Sequence, residues 1–447
     1  MSEQPARTVA IVGGGFAGIT VARRLERQLP DHWRILLLSR ENYITYNPLL
    51  AEVVGASILP GHVVAPIRQM VHRSSFRMVN VSRVDLEQRR LIMAEPDAEP
   101  VHWDRLVLAC GVRADLGRVP GMAEHAVPLK LLGDALALRN RILVQLERAA
   151  RQPDPEVRRA LTRFVVVGGG FSGVEVAGEI QDFLAEAVRY YPEVDAADCR
   201  VAVVHSRDRL LNEISEGLGR YAEKRMRRNG IDIHLGARVA QVDGRGVELS
   251  GGGRVEGATV VATIGTAPMG LIEGVALPKE KGRIVTAPDL SVQDHPDIWA
   301  LGDCAWVINQ ADGQPSPPTA QFAVRQAALV ADNLVRREAG RDTRPFHYRS
   351  RGQLASIGHN KAVAEIYGLR LSGFPAWLLW RGFYLLQIPT LLRKVRVYFE
   401  WNWQMLFPPD IVHLRFTRSG DNRWIFEADG KPPPNAGKPE GFRSHGP

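Results

Sequence analysis

Cysteine is scarce in this chain of 447 residues: there are three, Cys110, Cys199 and Cys304. They cannot build a disulfide framework, and no CxxC pair offers a zinc or dithiol site, so a reducing compartment is expected. No metal-ligand pattern is apparent either. Charge imbalance is missing from most of the chain. The net charge is +8, yet the segment from Arg344 onward holds 15 Lys and Arg against 7 Asp and Glu, and the preceding 343 residues balance at 42 of each sign. The surplus is therefore confined to the C-terminal quarter, where it can face an anionic surface. An apolar leader is also lacking, because MSEQPARTVAIVGGG enters a strand directly; export is not expected. What remains is 45% hydrophobic and 24% charged, which excludes disordered, collagen-like and many-helix membrane chains. The length allows about three domains.

One structural unit occurs twice. TVAIV (8–12) ends in glycines, a helix-like stretch follows to about Leu29, and RILLL (34–38) reads as the next strand. The same order returns over 164–204 as FVVVGGG, a helix-like stretch through Leu184, and RVAVV. Two such βαβ units predict an α/β fold with two Rossmann-like, parallel-sheet domains. The glycines fall in GxGxxG spacing at Gly13, Gly15 and Gly18, and again at Gly168, Gly170 and Gly173. The first glycine permits a tight turn, the second admits a pyrophosphate, and the third lets the helix pack on the strand. The helix N-terminus then offers N–H groups to the phosphates. In DIWALGDC (297–304), Asp303 follows an apolar strand and a glycine. It is placed either to bind the ribityl hydroxyls of FAD or to cap a helix over AWVIN.

Together these features resemble the two-dinucleotide flavoproteins, and within them the type II NADH dehydrogenases, single-chain NADH:quinone oxidoreductases that pump no protons. The resemblance rests on NYITYNPLL (42–50), VVAPIR (63–68), DIWALGDC, PPTAQFAVRQA (317–327) and ASIGHNKAVAEIYGLRLSGFPAWLLWRGFYL (355–385). It implies FAD at the first fingerprint and NADH, or NADPH, at the second, with hydride passing to FAD and then to a membrane quinone. It also implies an FAD-binding domain over 1–118 and 284–344, an NAD(P)H-binding domain over 119–283, and a quinone and membrane region over 345–430. The Pro/Gly-rich tail 431–447 is expected to be disordered. Glu175, Gln321, Arg325 and Gln326 are the catalytic candidates. Ser39, Asp303, Glu179, His205 and Arg207 join the six glycines as cofactor-binding candidates, and His359 and Lys361 are secondary ones near the quinone. Glu175 and Glu179 either line the nicotinamide side and relay protons or complement the helix dipole.

The chain departs from the family pattern at three places. The quinone motif AQxAxQ keeps Ala320, Gln321 and Ala323 but has Arg325 in place of its last glutamine, with Gln326 beside it. The first ribose-binding acid is Ser39, with Glu41 nearby, and the second is His205. Without that second acid the loop His205–Ser206–Arg207 lacks the charge that repels the 2′-phosphate of NADPH.

Residues 374–392 are apolar but hold Pro375, Arg381, Gln387 and Pro389, too many interruptions for a spanning helix. Arg393, Lys394 and Arg396 follow, and ten of the 32 aromatics lie between Phe374 and Phe407. Basic residues beside Trp and Tyr predict an amphipathic anchor on a bilayer, at the cytoplasmic face of the cell membrane. A homodimer interface or a core position is the alternative use of this apolar surface, and a nucleic-acid partner is not expected. Two rival functions are a sulfide:quinone oxidoreductase, which needs a cysteine pair at the flavin, and a slow flavin-binding redox sensor or scaffold. Cys110 and Cys304 read instead as small buried residues.

Overall fold

The computed structural model describes residues 7–358 and 360–414. One compact unit extends to Ile411, and Val412 opens a separate segment. His359 and the tail 431–447 lie outside the described residues.

The first sheet is centred on Arg7–Val12, which pairs in parallel with Trp33–Ser39 on one side and Arg105–Leu108 on the other. Ser75–Met78 extends one edge in parallel and His295–Ala300 the other, with Ser291–Val292 antiparallel beyond it. The chain thus leaves this sheet after Leu108 and rejoins it near residue 291. The second sheet is wholly parallel, in the order Ala126–Pro128, Thr259–Ala262, Arg163–Val167, Arg200–Val204, Ile231–His234. Its central strands are near-continuous valine runs buried on both faces, the composition that a helix-covered parallel strand requires. The helices Phe16–Gln28 and Ala320–Glu338 pack together over the first sheet, and Phe171–Ala187 covers the second. Each GxGxxG turn therefore sits at the carboxyl end of the first strand of its unit, where such sheets bind ligands.

Beyond residue 350 a three-stranded antiparallel sheet, Gly352–Ser356, Ala362–Ile366 and Leu369–Gly373, leads into two helices, Phe374–Gln387 and Leu391–Gln404. Pro389 separates them, since the residue before a proline is pushed out of the helical region and Ile388 is indeed extended. Each helix has two faces. Ala376, Trp377, Trp380, Val397 and Trp401 join the hydrophobic core under the second sheet. Leu386, Leu391, Leu392, Phe399, Trp403 and Leu406 are 60–79% exposed. Among the described residues no helix is long and apolar enough to cross a membrane.

Candidate dinucleotide and quinone cleft

A cleft of about 800 Å³ opens along the carboxyl edge of the first sheet, within the range of ligand sites. Its floor is the first fingerprint. Gly13 has φ of 118°, and a Cβ there would lie 2.3 Å from the Ala109 carbonyl oxygen; one on Gly18 would lie 1.9 Å from the Gly13 oxygen. A Cβ on Gly15 would meet nothing within 4 Å. Two of the glycines thus close the turn against its neighbours, and Gly15 leaves room for a ligand. The helix beginning at Phe16 has no side-chain cap and no acid in its first turn, so its end is a free anion site.

Ser39, Arg40 and Glu41 form one wall of the cleft and Asp303 another. Asp303 does not cap a helix, because a single 3₁₀ turn, Gly302–Cys304, runs straight into the strand Ala305–Trp306. Burial lifts its carboxyl above the ordinary range, while Lys130 and Arg283 pull the other way; the Lys130 Nζ lies 3.9 Å away. A phosphate cradle flanked by Glu41 and Asp303 matches the pyrophosphate and the polyhydroxyl arms of FAD.

The second fingerprint repeats the device. Gly168 has φ of 122°, a Cβ on Gly173 would lie 1.9 Å from the Gly168 oxygen, and a Cβ on Gly170 would find only Glu213, at 3.9 Å. Its helix starts with Phe171 and Ser172, which together with Glu175 reach the same cleft. His205 departs from expectation. Its Nδ1 accepts the Gly169 N–H at 3.1 Å and its Nε2 donates to Asn212 Oδ1 at 3.1 Å. Both ring nitrogens are occupied inside the loop, so His205 does not stand in for the ribose-binding acid. Arg207 is exposed.

Glu175 and Glu179 lie one turn apart on one helix face. Neither belongs to the first turn, which removes the dipole reading. Glu175 accepts the Ser356 N–H at 3.2 Å, and burial pushes its carboxyl up to about 8. Glu179 accepts the Ser57 hydroxyl at 3.0 Å and is raised well above the carboxylate range, first by burial and then by Glu52. Glu52, from the short helix Leu50–Val54, accepts Trp401 Nε1 at 2.7 Å and is pushed by burial to about 7. The Arg381 guanidinium, 3.9 Å over the Trp377 ring, is the cation that acts on Glu52 and Glu179. Glu175 and Glu179 therefore hold protons at neutral pH, whereas Glu52, held lower by Arg381 and Trp401, is about half ionised there. Glu52 escaped the sequence reading; its only trace there is a charge inside the apolar run PLLAEVV.

The quinone motif is turned otherwise than expected. Ala320 and Ala323 line the cleft; Gln321, Arg325 and Gln326 do not. Gln321 accepts the Ser350 hydroxyl at 3.3 Å. Arg325, two residues and so about 200° round the helix from Ala323, is exposed and lies 5.6 Å over the Tyr348 ring. Gln326 is buried and accepts the Gly302 N–H at 2.8 Å, holding the turn that carries Asp303. Arg325→Gln is accordingly expected to leave quinone kcat and KM within about twofold, the range of a surface substitution; steady-state kinetics checks this. Lys361 sits on the turn before Ala362–Ile366 and is not part of the cleft wall. Cys110 reaches the cleft, and its hydrogen bond with Cys304 together with burial holds it as a thiol. Cys304 is fully buried against the Leu108 and Leu301 carbonyls, at 3.5 and 3.3 Å, where a sulfide-handling pair would need access.

Known proteins resemble both halves of this arrangement. The family described as pyridine nucleotide-disulphide oxidoreductase matches residues 7–327, and the NDH2 C-terminal domain matches 350–410. The type II NADH:quinone oxidoreductase Ndh of Mycobacterium tuberculosis is 30% identical over 421 residues, 90% of this chain and 89% of its own. An internal alternative NAD(P)H-ubiquinone oxidoreductase A1 of Arabidopsis thaliana mitochondria is 26% identical, covering 91% of this chain and 85% of its own. Among solved structures, NDH2 of Plasmodium falciparum in complex with NADH superposes with a TM-score of 0.84 at 17% identity, over 91% of this chain and all of that one.

Proposed function

The chain belongs to the pyridine nucleotide-disulphide oxidoreductase family, among the type II NADH:quinone oxidoreductases, and on that basis we propose that it binds FAD, oxidises a reduced nicotinamide dinucleotide and reduces a quinone without pumping protons. The observation that carries this is the continuity of one cleft. It runs from Gly13–Gly15 past Phe171 and Glu175 of the second fingerprint helix to Leu354 and Tyr384 of the C-terminal region.

FAD, when bound, supplies the two-electron chemistry; the chain positions and insulates it. Residues 1–118 and 284–344 hold it, with the Phe16 helix end at the pyrophosphate, Ser39 and Glu41 at the ribose and Asp303 at the ribityl chain. Residues 119–283 hold the nicotinamide nucleotide at Gly168, Gly170 and Gly173. Ala320, Ala323, Leu354 and Tyr384 form the apolar side open to a quinone ring. Glu175 carries a proton at neutral pH where the cleft meets the C-terminal sheet, and that proton is available to the quinone oxygen. Glu179 and Glu52 lie behind it. Turnover of purified, FAD-loaded protein with NADH and a short-chain soluble quinone tests the reading, and its absence would overturn it.

The exposed faces of the two terminal helices, with Arg393, Lys394 and Arg396 beside them, fit a peripheral seat on an anionic bilayer at its cytoplasmic face. A homodimer burying this same face is the competing arrangement. Removing the helices outright is a poor test, because Trp377, Trp380 and Trp401 are core and Tyr384 lines the cleft. Leu386→Glu with Leu391→Glu and Leu406→Glu changes only the exposed face. This variant is expected to lose co-sedimentation with phosphatidylglycerol vesicles and long-chain quinone reduction, while soluble quinones are still reduced. Undiminished co-sedimentation would reject the bilayer, and a change from dimer to monomer would assign the face to a second copy.

A further inference from the structure

Resting on that reading, we propose that the second fingerprint accepts NADPH, with the 2′-phosphate held by Ser206 and Arg207 at the end of the strand Arg200–Val204. In dinucleotide-binding sheets an acid at this strand end binds the ribose 2′-hydroxyl and repels a 2′-phosphate, whereas a nearby arginine accommodates the phosphate. Here the strand runs VAVV and then His205, Ser206, Arg207, and no acid stands at its end.

The geometry assigns His205 a positioning role. With Nδ1 on the Gly169 N–H and Nε2 on Asn212, its ring lies under the fingerprint so closely that a Cβ on Gly169 would fall 2.7 Å from it. Recognition passes to the next two residues, both exposed. The loop that bears them is clamped, for the His205 carbonyl accepts the Ala237 N–H at 2.9 Å and the Arg207 carbonyl accepts the Gly236 N–H at 2.7 Å. Arg209 is turned inward onto the Ile214 and Asn212 carbonyls, both at 3.1 Å. Arg207, by contrast, makes no side-chain bond to any described residue, and neither does the Ser206 hydroxyl. A guanidinium pairs with phosphate through two parallel N–H bonds, and a hydroxyl adds a third donor. The other charges nearby are Arg238, exposed just past the clamping turn, exposed Asp208, and Glu213. Glu213 sits against Gly170, on the pyrophosphate side rather than at the strand end.

The test titrates FAD-loaded, full-length protein with adenosine 2′,5′-bisphosphate and with 5′-AMP, and compares kcat/KM for NADPH and NADH. The bisphosphate is expected to bind more tightly, and Arg207→Ala is expected to cost about ten- to a hundredfold in its affinity and in NADPH kcat/KM, the worth of charged hydrogen bonds. NADH kcat/KM is expected to fall by less, so that the NADPH to NADH ratio of kcat/KM shifts toward NADH. Equal binding of the two probes, or equal losses for both nucleotides in Arg207→Ala, overturns the proposal. So does a wild type that rejects NADPH and is relaxed by Glu213→Gln, which would make Glu213 the ribose acid. A protein oxidising neither nucleotide fails the redox reading itself, and the probe titration still decides this one.

Discussion

Gly15→Val is expected to give a folded protein without flavin. Gly15 caps its helix at φ of −83°, a conformation open to any residue, and a Cβ there meets no atom within 4 Å. The added side chain therefore leaves the apoprotein unstrained and occupies the space intended for the pyrophosphate. Overpacking of this kind costs roughly 1–3 kcal/mol, about ten- to a hundredfold in FAD affinity. Flavin content after gel filtration measures it, alongside far-ultraviolet circular dichroism matching the wild type. Gly18→Val is the contrasting variant. Its Cβ would lie 1.9 Å from the Gly13 oxygen, so the turn itself breaks and soluble yield falls. If Gly15→Val retains stoichiometric flavin, the pyrophosphate does not lie where this turn places it.

Glu175→Gln is expected to slow quinone reduction by about 10²–10⁴-fold, the usual worth of a positioned proton donor, while the nicotinamide half-reaction keeps its rate. The glutamine still offers an oxygen to the Ser356 N–H, so the fold is preserved. The wild type should lose quinone turnover as pH rises through about 8, where the buried carboxyl ionises, and the variant should not show that limb. Stability follows the same group. An unfolded chain ionises this carboxyl near its ordinary value of 4.5 and the native state near 8. Between those values unfolding releases a proton, so native stability falls with rising pH by up to about 1.4 kcal/mol per unit. Glu175→Gln removes this slope, and denaturant melts at pH 6 and pH 8 should lie closer together than those of the wild type. A variant with unchanged quinone turnover would make Glu175 a buried structural group only.

These expectations show which features sequence alone could supply. Both fingerprints were legible because each role is local: Gly13 must turn, Gly15 must leave room and Gly18 must pack, all within six residues. The valine strands were legible for the same reason. Facing was not. Periodicity puts Gln321 and Arg325 on one side of their helix, and they do share a side, but only the packing of that helix on the first sheet decides that Ala320 and Ala323 turn to the cleft. His205 could be read as a missing acid, yet its Gly169 and Asn212 partners depend on how the loop folds back. Glu52 and Trp401 are hydrogen-bonded across most of the chain's length, a pairing no local pattern encodes. The composition of the terminal helices predicts an amphipathic anchor with a core position as the alternative, and the structure shows that one face of each belongs to the core.

The central claim is that one cleft passes two electrons from a nicotinamide dinucleotide, through FAD, to a quinone. Anaerobic rapid mixing of the purified, FAD-loaded protein tests it most directly. Addition of NADH or NADPH should bleach the oxidised flavin band in a single phase, and a following addition of soluble quinone, still without oxygen, should restore it in full. A flavin that neither nucleotide bleaches, or one that bleaches and stays reduced in excess quinone, would contradict the account.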